Sequence, residues 1–207
     1  MELLASPDPR WLFYLARTED GVHLGRIDVD RQCFDARRSL PAKTRAMTLT
    51  PDGKTLYAAG DRILFVIDPA TLNVRRQVEL NTDIYSLAAD NENHVYLGTQ
   101  GQWTNLSRWD LSGATPSSQQ WFAKLHGRIY LKLAPDQNRL YVGTSSVISN
   151  HLDALLVRTH RGNAPYQIGI AASDSHGLIR GEFFITPDGQ FLLNRWGKVF
   201  RLAVSRK

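Results

Sequence analysis

The amino-acid sequence predicts an all-β fold built from one repeated, four-stranded unit. Three observations support it: a turn motif recurs, apolar residues alternate ahead of each turn, and no segment shows the 3.6-residue apolar period of a helix. The motif is clearest at residues 48–60, TLTPDGKTLYAAG, where two apolar runs flank a Pro-Asp-Gly turn. Pro and Gly at these positions favour the backbone angles of a tight turn between two strands.

The turn motif occurs five times along the chain. Its first turn residue is Pro7, Pro51, Ala89, Pro135 or Pro187, so successive copies lie 44, 38, 46 and 52 residues apart. Apolar residues occupy the positions four and two before each turn: Leu3 and Ala5, Met47 and Leu49, Tyr85 and Leu87, Leu131 and Leu133, Phe183 and Ile185. This period of two predicts a strand with one buried face in every copy.

Further strand-forming runs follow each turn, so every copy predicts four antiparallel strands, which we name a to d in chain order. A period of about 40 to 50 residues with four strands is typical of a β-propeller blade. We therefore predict one β-propeller domain over residues 1–207, with blades at about 1–42, 43–81, 82–126, 127–178 and 179–207. The fifth blade stops after strand c. A β-sandwich with many hairpins is the alternative fold.

The short fifth blade leaves three architectures open. The chain can form a five-bladed ring with a trimmed last blade, part of a longer propeller, or an open partial propeller that closes by self-association. An open arrangement would expose apolar blade faces, which favours association.

The composition restricts the classes of partner. An apolar fraction of 43% and a charged fraction of 22% are ordinary for a soluble globular protein. The net charge of +5 is compatible with an anionic partner but too small to indicate nucleic-acid binding. Cys33 is the one cysteine, so neither a disulfide nor a cysteine metal cluster is expected.

The chain also lacks the patterns of membrane and export segments. No apolar run approaches the roughly 20 residues of a membrane span. The first residues have neither a basic region nor a long apolar region of a signal peptide. We therefore expect a cytoplasmic protein, or a periplasmic one if the natural start lies upstream.

The predicted meander places binding residues at one end of the blades. The a–b turns lie at one end, here named the turn end, and the d–a and b–c loops lie at the other, the loop end. Long loops are predicted over Gly98–Asn105, Ser145–Asp153 and Ser173–Gly181. The candidate ligand- or partner-binding residues on the loop end are Arg45, Asp83, Trp103, His126, Arg128, His151, Arg180, Arg195 and Trp196.

Arginines dominate this candidate site. Arg45, Arg128 and Arg180 precede their turns by six or seven residues, so they are expected at the mouth of a propeller channel. Converging guanidinium groups can bind a carboxylate or phosphate through paired hydrogen bonds. The alternative is that each arginine pairs with a neighbouring acid.

Catalytic and metal-binding patterns are absent from the sequence. His126, His151 and His176 come from successive blades and could meet above the channel, but they share no local metal-binding motif, so no metal is predicted. Ser145 and Ser146 do not lie in a Gly-x-Ser-x-Gly motif. No cofactor is predicted either, and we expect a non-enzymatic protein. The arginine pairs 37–38 and 75–76 are expected to protect outer strand edges.

One blade resembles a known repeat family. Residues 50–74, TPDGKTLYAAGDRILFVIDPATLNV, resemble the YVTN-type β-propeller repeat, in which a PDG turn, an LYV strand and a V-I-D-x-x-T strand and turn follow one another. Residues 134–144, APDQNRLYVGT, match its first half. The resemblance, which extends to WD-like and quinoprotein-amine-dehydrogenase-like propellers, implies a scaffold and specifies no activity.

These features lead to two expected functions. The first is a non-enzymatic recognition or scaffold module whose loop end binds a protein or a small anionic ligand, with Trp103 and Trp196 as anchors. The second, implied by the resemblance, is a subunit of a periplasmic quinoprotein-type dehydrogenase or another propeller enzyme.

Overall fold

A computed structural model of the chain describes residues 1–145, 152–156, 167–170, 182–195 and 197–202. This part of the chain contains eighteen β-strands and no helix, which confirms the all-β prediction. The strands form four complete antiparallel blades and a fifth with three strands, as the repeats predicted.

The first two blades are separate four-stranded sheets. The strands of blade 1 are β1 (Glu2–Ala5), β2 (Trp11–Thr18), β3 (Gly21–Asp28) and β4 (Cys33–Leu40). Those of blade 2 are β5 (Ala46–Leu49), β6 (Leu56–Gly60), β7 (Ile63–Ile67) and β8 (Val74–Glu79). In both sheets the hydrogen-bonded order follows the chain order, so each blade is a simple meander.

The third and fourth blades share one seven-stranded sheet, and the fifth is a sheet of three strands. The shared sheet contains β9 (Ser86–Ala89), β10 (His94–Gly98), β11 (Gln100–Asp110), β12 (Ser117–Leu133), β13 (Arg139–Thr144), β14 (Leu152–Leu156) and β15 (Gln167–Ile170). Blade 5 contains β16 (Phe183–Ile185), β17 (Phe191–Asn194) and β18 (Val199–Arg201).

Strand β12 joins two blades that the sequence predicted to be separate. It pairs with β11 on one side and β13 on the other, so it serves as strand d of blade 3 and strand a of blade 4. Gly127 lies within it at a φ of 83°, a conformation that glycine adopts without steric cost. The predicted loop over Gly98–Asn105 is wrong, because β11 begins at Gln100 and its backbone pairs with the long β12.

The chain divides into two compact units. The first comprises Met1–Val95 and Asp110–Ser117, and the second comprises Tyr96–Trp109 and Ser118–Lys207. Each has its own apolar core.

In the first unit, the core lies between blades 1 and 2. Phe13 and Leu24 of blade 1 pack with Met47, Leu49 and Leu56 of blade 2, and all five side chains are buried. Met47 and Leu49, the apolar pair predicted to be buried ahead of the second turn, therefore pack against blade 1.

In the second unit, a core lies between blades 4 and 5. Tyr141 of blade 4 packs with Phe183 and Leu192 of blade 5, and none of these three side chains is more than 1% exposed. The residue four positions before the fifth turn, Phe183, is thus buried as the repeat predicts.

Blade 1 departs from this pattern. Its apolar pair was predicted to be buried, but Leu3 is 51% exposed and Ala5 is exposed as well. The equivalent residues Met47 and Leu49 are 4% and 9% exposed, because blade 1 covers them. The prediction of a buried face is therefore wrong for both Leu3 and Ala5.

The a–b turns repeat the same hydrogen bonds in different blades. In blade 2 the Thr50 hydroxyl donates to Asp52 Oδ1 at 2.7 Å and accepts from the Thr55 N–H at 3.1 Å. In blade 5 the Thr186 hydroxyl makes the equivalent bonds to Asp188 and from the Phe191 N–H. The Thr-Pro-Asp-Gly segment closes the turn through these bonds, so the copied letters specify a copied local structure.

Arginines on outer strands connect neighbouring blades in the first unit. Arg76 of β8 donates to the carbonyl oxygens of Leu111 at 3.4 Å and Gly113 at 2.9 Å, and also to that of Ala114. Arg38 of β4 donates to Leu72 O of blade 2 at 3.4 Å. Both arginines thus bind the c–d turn of the next blade, although they occupy different register positions on their strands, and no sequence pattern indicated this role.

Candidate binding surface

The loop end of blade 2 holds two of the predicted site residues, Arg45 and Asp83. The segment before β5 approaches Gly60 so closely that an added Cβ there would lie 2.1 Å from Lys43 O and 2.7 Å from Thr44 Cα. The Arg45 N–H donates to Ala59 O at 2.9 Å and fixes this approach. A glycine at position 60 therefore sets the position of the residues on either side of Thr44.

A tight hairpin presents a carboxylate next to this segment. Asp61 and Arg62 connect β6 to β7 with φ values of 52° and 63°, the left-handed pair of a type I′ turn. The Asp61 carboxylate accepts from Lys43 Nζ at 2.8 Å. The Asp61 N–H donates to Asp83 Oδ1 at 2.9 Å.

Two of the predicted site residues pair with each other. Arg45 Nη2 lies 3.7 Å from Asp83 Oδ2, and their side chains are 41% and 49% exposed. Together with Lys43 and Asp61, they form a connected set of alternating charges that we name the blade-2 charge network: Lys43, Arg45, Asp61 and Asp83. Its formal charges cancel, so it offers paired donors and acceptors rather than a positive patch.

Lys43 and Asp61 were not among the sequence candidates. The signal was present, since the two-residue spacing between the apolar runs of β6 and β7 predicts a hairpin at the same end as the start of β5. That placement puts Asp61 at the same end of the blade as Lys43 and Arg45.

In the second unit, Arg128 occupies a fixed backbone position. It lies within β12 just after Gly127, and its N–H donates to Ser145 Oγ at 2.9 Å while its carbonyl accepts from the Ser145 N–H at 3.0 Å. The residue is exposed, and it lies just before Ile129, where the pairing of β12 with β13 begins.

Arg195 lies in the turn after β17, the predicted b–c loop of blade 5. Its N–H donates to Glu182 O at 3.2 Å, and the residue is exposed. The Asn194 side chain accepts from the Lys198 N–H at 2.9 Å and closes this turn.

The remaining candidates are only partly placed or lie outside the described residues. Trp103 and His126 were predicted in loops, but the backbone places them in strands β11 and β12, because the ladder continues through both predicted loops. Their side chains are outside the described part of the structure. His151, Arg180 and Trp196 are outside it altogether, as is His176. Convergence of the three arginines stays a prediction.

The described residues offer neither a metal-binding cluster nor a membrane-spanning helix. Among the described side chains, no group of three or more His, Cys, Asp or Glu is arranged to hold a metal ion. The described residues also include no helix of the length and apolarity required to cross a bilayer.

Two shifts in pKa within the first unit lie away from the loop end. The Arg10 guanidinium donates to Asp28 Oδ2 at 2.7 Å and lowers the pKa of that carboxyl below its usual range. Burial, with the nearby charges of Asp90 and Asp52, raises the pKa of Tyr57 to about 12. Neither group belongs to the charge network.

Blades of this kind define a β-propeller, and solved structures show the same fold. The β-propeller domain of Cps50 (Swd1) from Myceliophteria thermophila aligns with a TM-score of 0.68 and 14% identity, covering 96% of this chain and 60% of that one. Hydrazine synthase from Kuenenia stuttgartiensis aligns with a TM-score of 0.69 and 16% identity, covering 98% and 58%. A chain of the mitotic checkpoint complex aligns with a TM-score of 0.56 and 18% identity, covering 68% and 46%.

These similarities establish the fold and no more. The chain spans about three fifths of the length of the first two structures. No protein-family model and no curated protein sequence matches the chain.

Proposed function

We propose that this protein is a non-enzymatic recognition module, built from YVTN-type β-propeller repeats, that binds another protein through the loop end of its blades. The blade-2 charge network is the observation that carries this proposal. Its four side chains are 41% to 63% exposed and are held on backbone that hydrogen bonds keep in place. A rigid scaffold that presents exposed charges is suited to selecting a partner of complementary charge.

A protein partner fits this network better than a small anion does. Asp83 lies beside Arg45 and Asp61 lies beside Lys43, so an incoming anion would meet one carboxylate for each cation. A protein surface can supply acids and bases in matching order, which gives specificity even where the net charge is zero. Two of the similar structures are named as a propeller domain and as part of a complex, which supports a scaffold role.

Charge reversal tests the proposal. Tagged wild-type protein and the Arg45→Glu variant are used to capture proteins from a lysate of the source organism, with quantification by mass spectrometry. Arg45→Glu is expected to weaken capture of the specific partner about tenfold, since it places a third carboxylate in the network. Lys54→Glu, an exposed change in the a–b turn of the same blade, is the matched control.

The recovered partner then decides the outcome. The partner's affinity is then measured for the double variant Arg45→Asp with Asp83→Arg, which exchanges the two charges and still allows them to pair. Weaker binding to this variant would show that the order of the charges matters. Unchanged binding would show that the ion pair alone is sufficient. Equal affinities of wild type and Arg45→Glu for every captured protein would refute recognition through this network.

An enzyme subunit is the second candidate, and the similarity to hydrazine synthase favours it. In that function the propeller positions chemistry carried by another chain. Purified protein with a visible absorption band, or a partner that is itself an enzyme, would support this candidate over a pure scaffold.

A further inference from the structure

Arg62 occupies a conformation that arginine rarely adopts. It is the second residue of the β6–β7 turn, where Gly60 pairs with Ile63 and only Asp61 and Arg62 lie between the strands. A type I′ turn needs a left-handed backbone at both central residues, and glycine is preferred at the second because it has no Cβ. In the part of the chain that the structure describes, Asp61 and Arg62 are the only consecutive non-glycine residues with positive φ. The turn therefore keeps an arginine where a glycine would fit with less steric cost.

The backbone of Arg62 is held in place from two sides. The Arg62 carbonyl accepts from the Leu80 N–H at 2.7 Å, and Leu80 itself is buried. The preceding N–H, that of Asp61, donates to Asp83 Oδ1 at 2.9 Å. The arginine side chain thus leaves the protein surface from a fixed point, which reduces the conformational entropy that is lost when a partner binds.

The guanidinium of Arg62 is not used within the described structure. The residue is exposed, and among the described residues its side chain forms no hydrogen bond and no ion pair. This includes Glu79, which pairs with Ile63 on the neighbouring strand β8. The other three arginines of blade 2 each bind an acid or a backbone oxygen of the protein: Arg45, Arg75 and Arg76. Arg62 is therefore the arginine of this blade whose charge is available to another molecule.

We propose that the Arg62 guanidinium binds a carboxylate of the protein partner and so determines which partners the loop end of blade 2 accepts. This role rests on the proposed recognition function and specifies the chemistry of the partner, an exposed Asp or Glu side chain. A guanidinium and a carboxylate can form two parallel hydrogen bonds, and arginine is among the residues that contribute most to the binding energy of interfaces. The blade-2 charge network adjoins this contact through Asp61 and disfavours a partner whose charges follow a different order.

Selection from a library of random peptides displayed on phage tests the proposal. Peptides selected by wild-type protein are expected to share an acidic residue. Phage-displayed peptides carry no phosphate, so the selection reports binding of carboxylates alone. One selected peptide is then synthesised, and its affinity for each variant is measured by calorimetry.

The affinities of two charge variants give the expected result. Arg62→Gln should weaken peptide binding about tenfold, because the paired hydrogen bonds to the carboxylate are lost. Lys54→Gln also removes one exposed positive charge, but from the a–b turn at the other end of blade 2, and should bind as wild type does.

A double-mutant cycle shows whether the arginine and the peptide acid contact each other. The acidic residue of the peptide is changed to its amide, and the amide peptide is measured with wild type and with Arg62→Gln. Direct contact predicts that the amide peptide binds the two proteins equally, since either change alone already removes the interaction.

The Arg62→Gly variant separates binding from folding. Glycine adopts the left-handed conformation without steric cost, so the midpoint of urea unfolding should stay the same or rise. Peptide binding should nevertheless fall as it does in Arg62→Gln. A lower midpoint for Arg62→Gly would show that the side chain is needed by the fold and would refute a role kept for binding.

Two further results would overturn the proposal. One is a selection that yields no peptides with a shared acidic residue. The other is a peptide affinity that Arg62→Gln leaves unchanged. If capture of the partner is lowered by Arg45→Glu and unaffected by Arg62→Gln, the recognition function stands and the role assigned to Arg62 is wrong.

Discussion

Gly60 shows how one residue without a side chain positions the candidate site. The carbonyl of Lys43 and the Cα of Thr44 lie where its Cβ would be, so the backbone itself fills the space. Lys43 and Arg45 flank that contact and carry two of the four charges of the network. The charge arrangement therefore depends on a residue that takes no part in it.

We expect Gly60→Ala to lower the free energy of unfolding by about 1–3 kcal/mol, because backbone must move to admit the methyl group. Gly113→Ala is the matched control, since its Cβ would lie 3.5 Å from the nearest atom, Thr115 O, and should change stability by less than about 0.5 kcal/mol. Urea unfolding followed by circular dichroism measures both. Equal stability of the two variants would show that the approach at Gly60 is not tight.

The candidate site was only partly predictable from the sequence. Arg45 and Asp83 could be placed at the loop end because their distances to the turns are regular. Their pairing depends on side-chain conformations and on the positive φ angles of Asp61 and Arg62, which neither residue type requires. Loops carry no repeat pattern, and for that reason Trp103 and His126 were assigned to loops although both lie in strands.

The strands and turns were the most predictable elements, since each copy of the repeat confirms the others. Alternation of apolar residues fixes which face of a strand is buried, and the Thr-Pro-Asp-Gly hydrogen bonds fix the turn. Blade boundaries were harder. The 17-residue strand β12 crosses one of them, because the sequence between blades 3 and 4 lacks a turn signal and simply continues the ladder.

The arginines of the outer strands stabilise the stacking of blades. Arg76 donates to three carbonyl oxygens of the next blade, whereas its neighbour Arg75 forms an ion pair with Asp68 of its own blade. We expect Arg76→Gln to lower the free energy of unfolding by about 1–3 kcal/mol, because charged donors to backbone oxygen are lost. Arg75→Gln removes the same charge from the same strand and should cost under about 1 kcal/mol.

Thermal and urea unfolding of the two variants provide the test. Equal destabilisation by Arg75→Gln and Arg76→Gln would mean that the two arginines stabilise the protein only through their charge. The hydrogen bonds of Arg76 to the next blade would then make no additional contribution to stability.

Two buried tyrosines contribute to the pH dependence of stability at high pH. Tyr57 is 1% exposed and its pKa is raised to about 12, mainly by burial. Burial also raises the pKa of Tyr141 in the second unit. A raised pKa means that the folded state holds the proton more tightly, so the stabilisation is complete below about pH 10 and is lost as the pH rises towards 12.

Between about pH 10 and about pH 12, we expect Tyr57→Phe to lose less stability than wild type. Near pH 12 the difference in the lost free energy of unfolding should be about 2–3 kcal/mol. Urea unfolding from about pH 9 to about pH 12 measures the difference in slope. Tyr141→Phe should change the slope in the same direction. Parallel curves for wild type and Tyr57→Phe would mean that the Tyr57 hydroxyl ionises equally well in the folded and unfolded chain.

The continuous strand β12 has a practical consequence for dissecting this molecule. Cleaving the polypeptide near residue 127 would cut the continuous strand β12, whereas a break between Glu79 and Ser86 would fall between two separate sheets. Fragments for complementation or segmental labelling should therefore be divided after the second blade, although the sequence repeat predicts a blade boundary at both places.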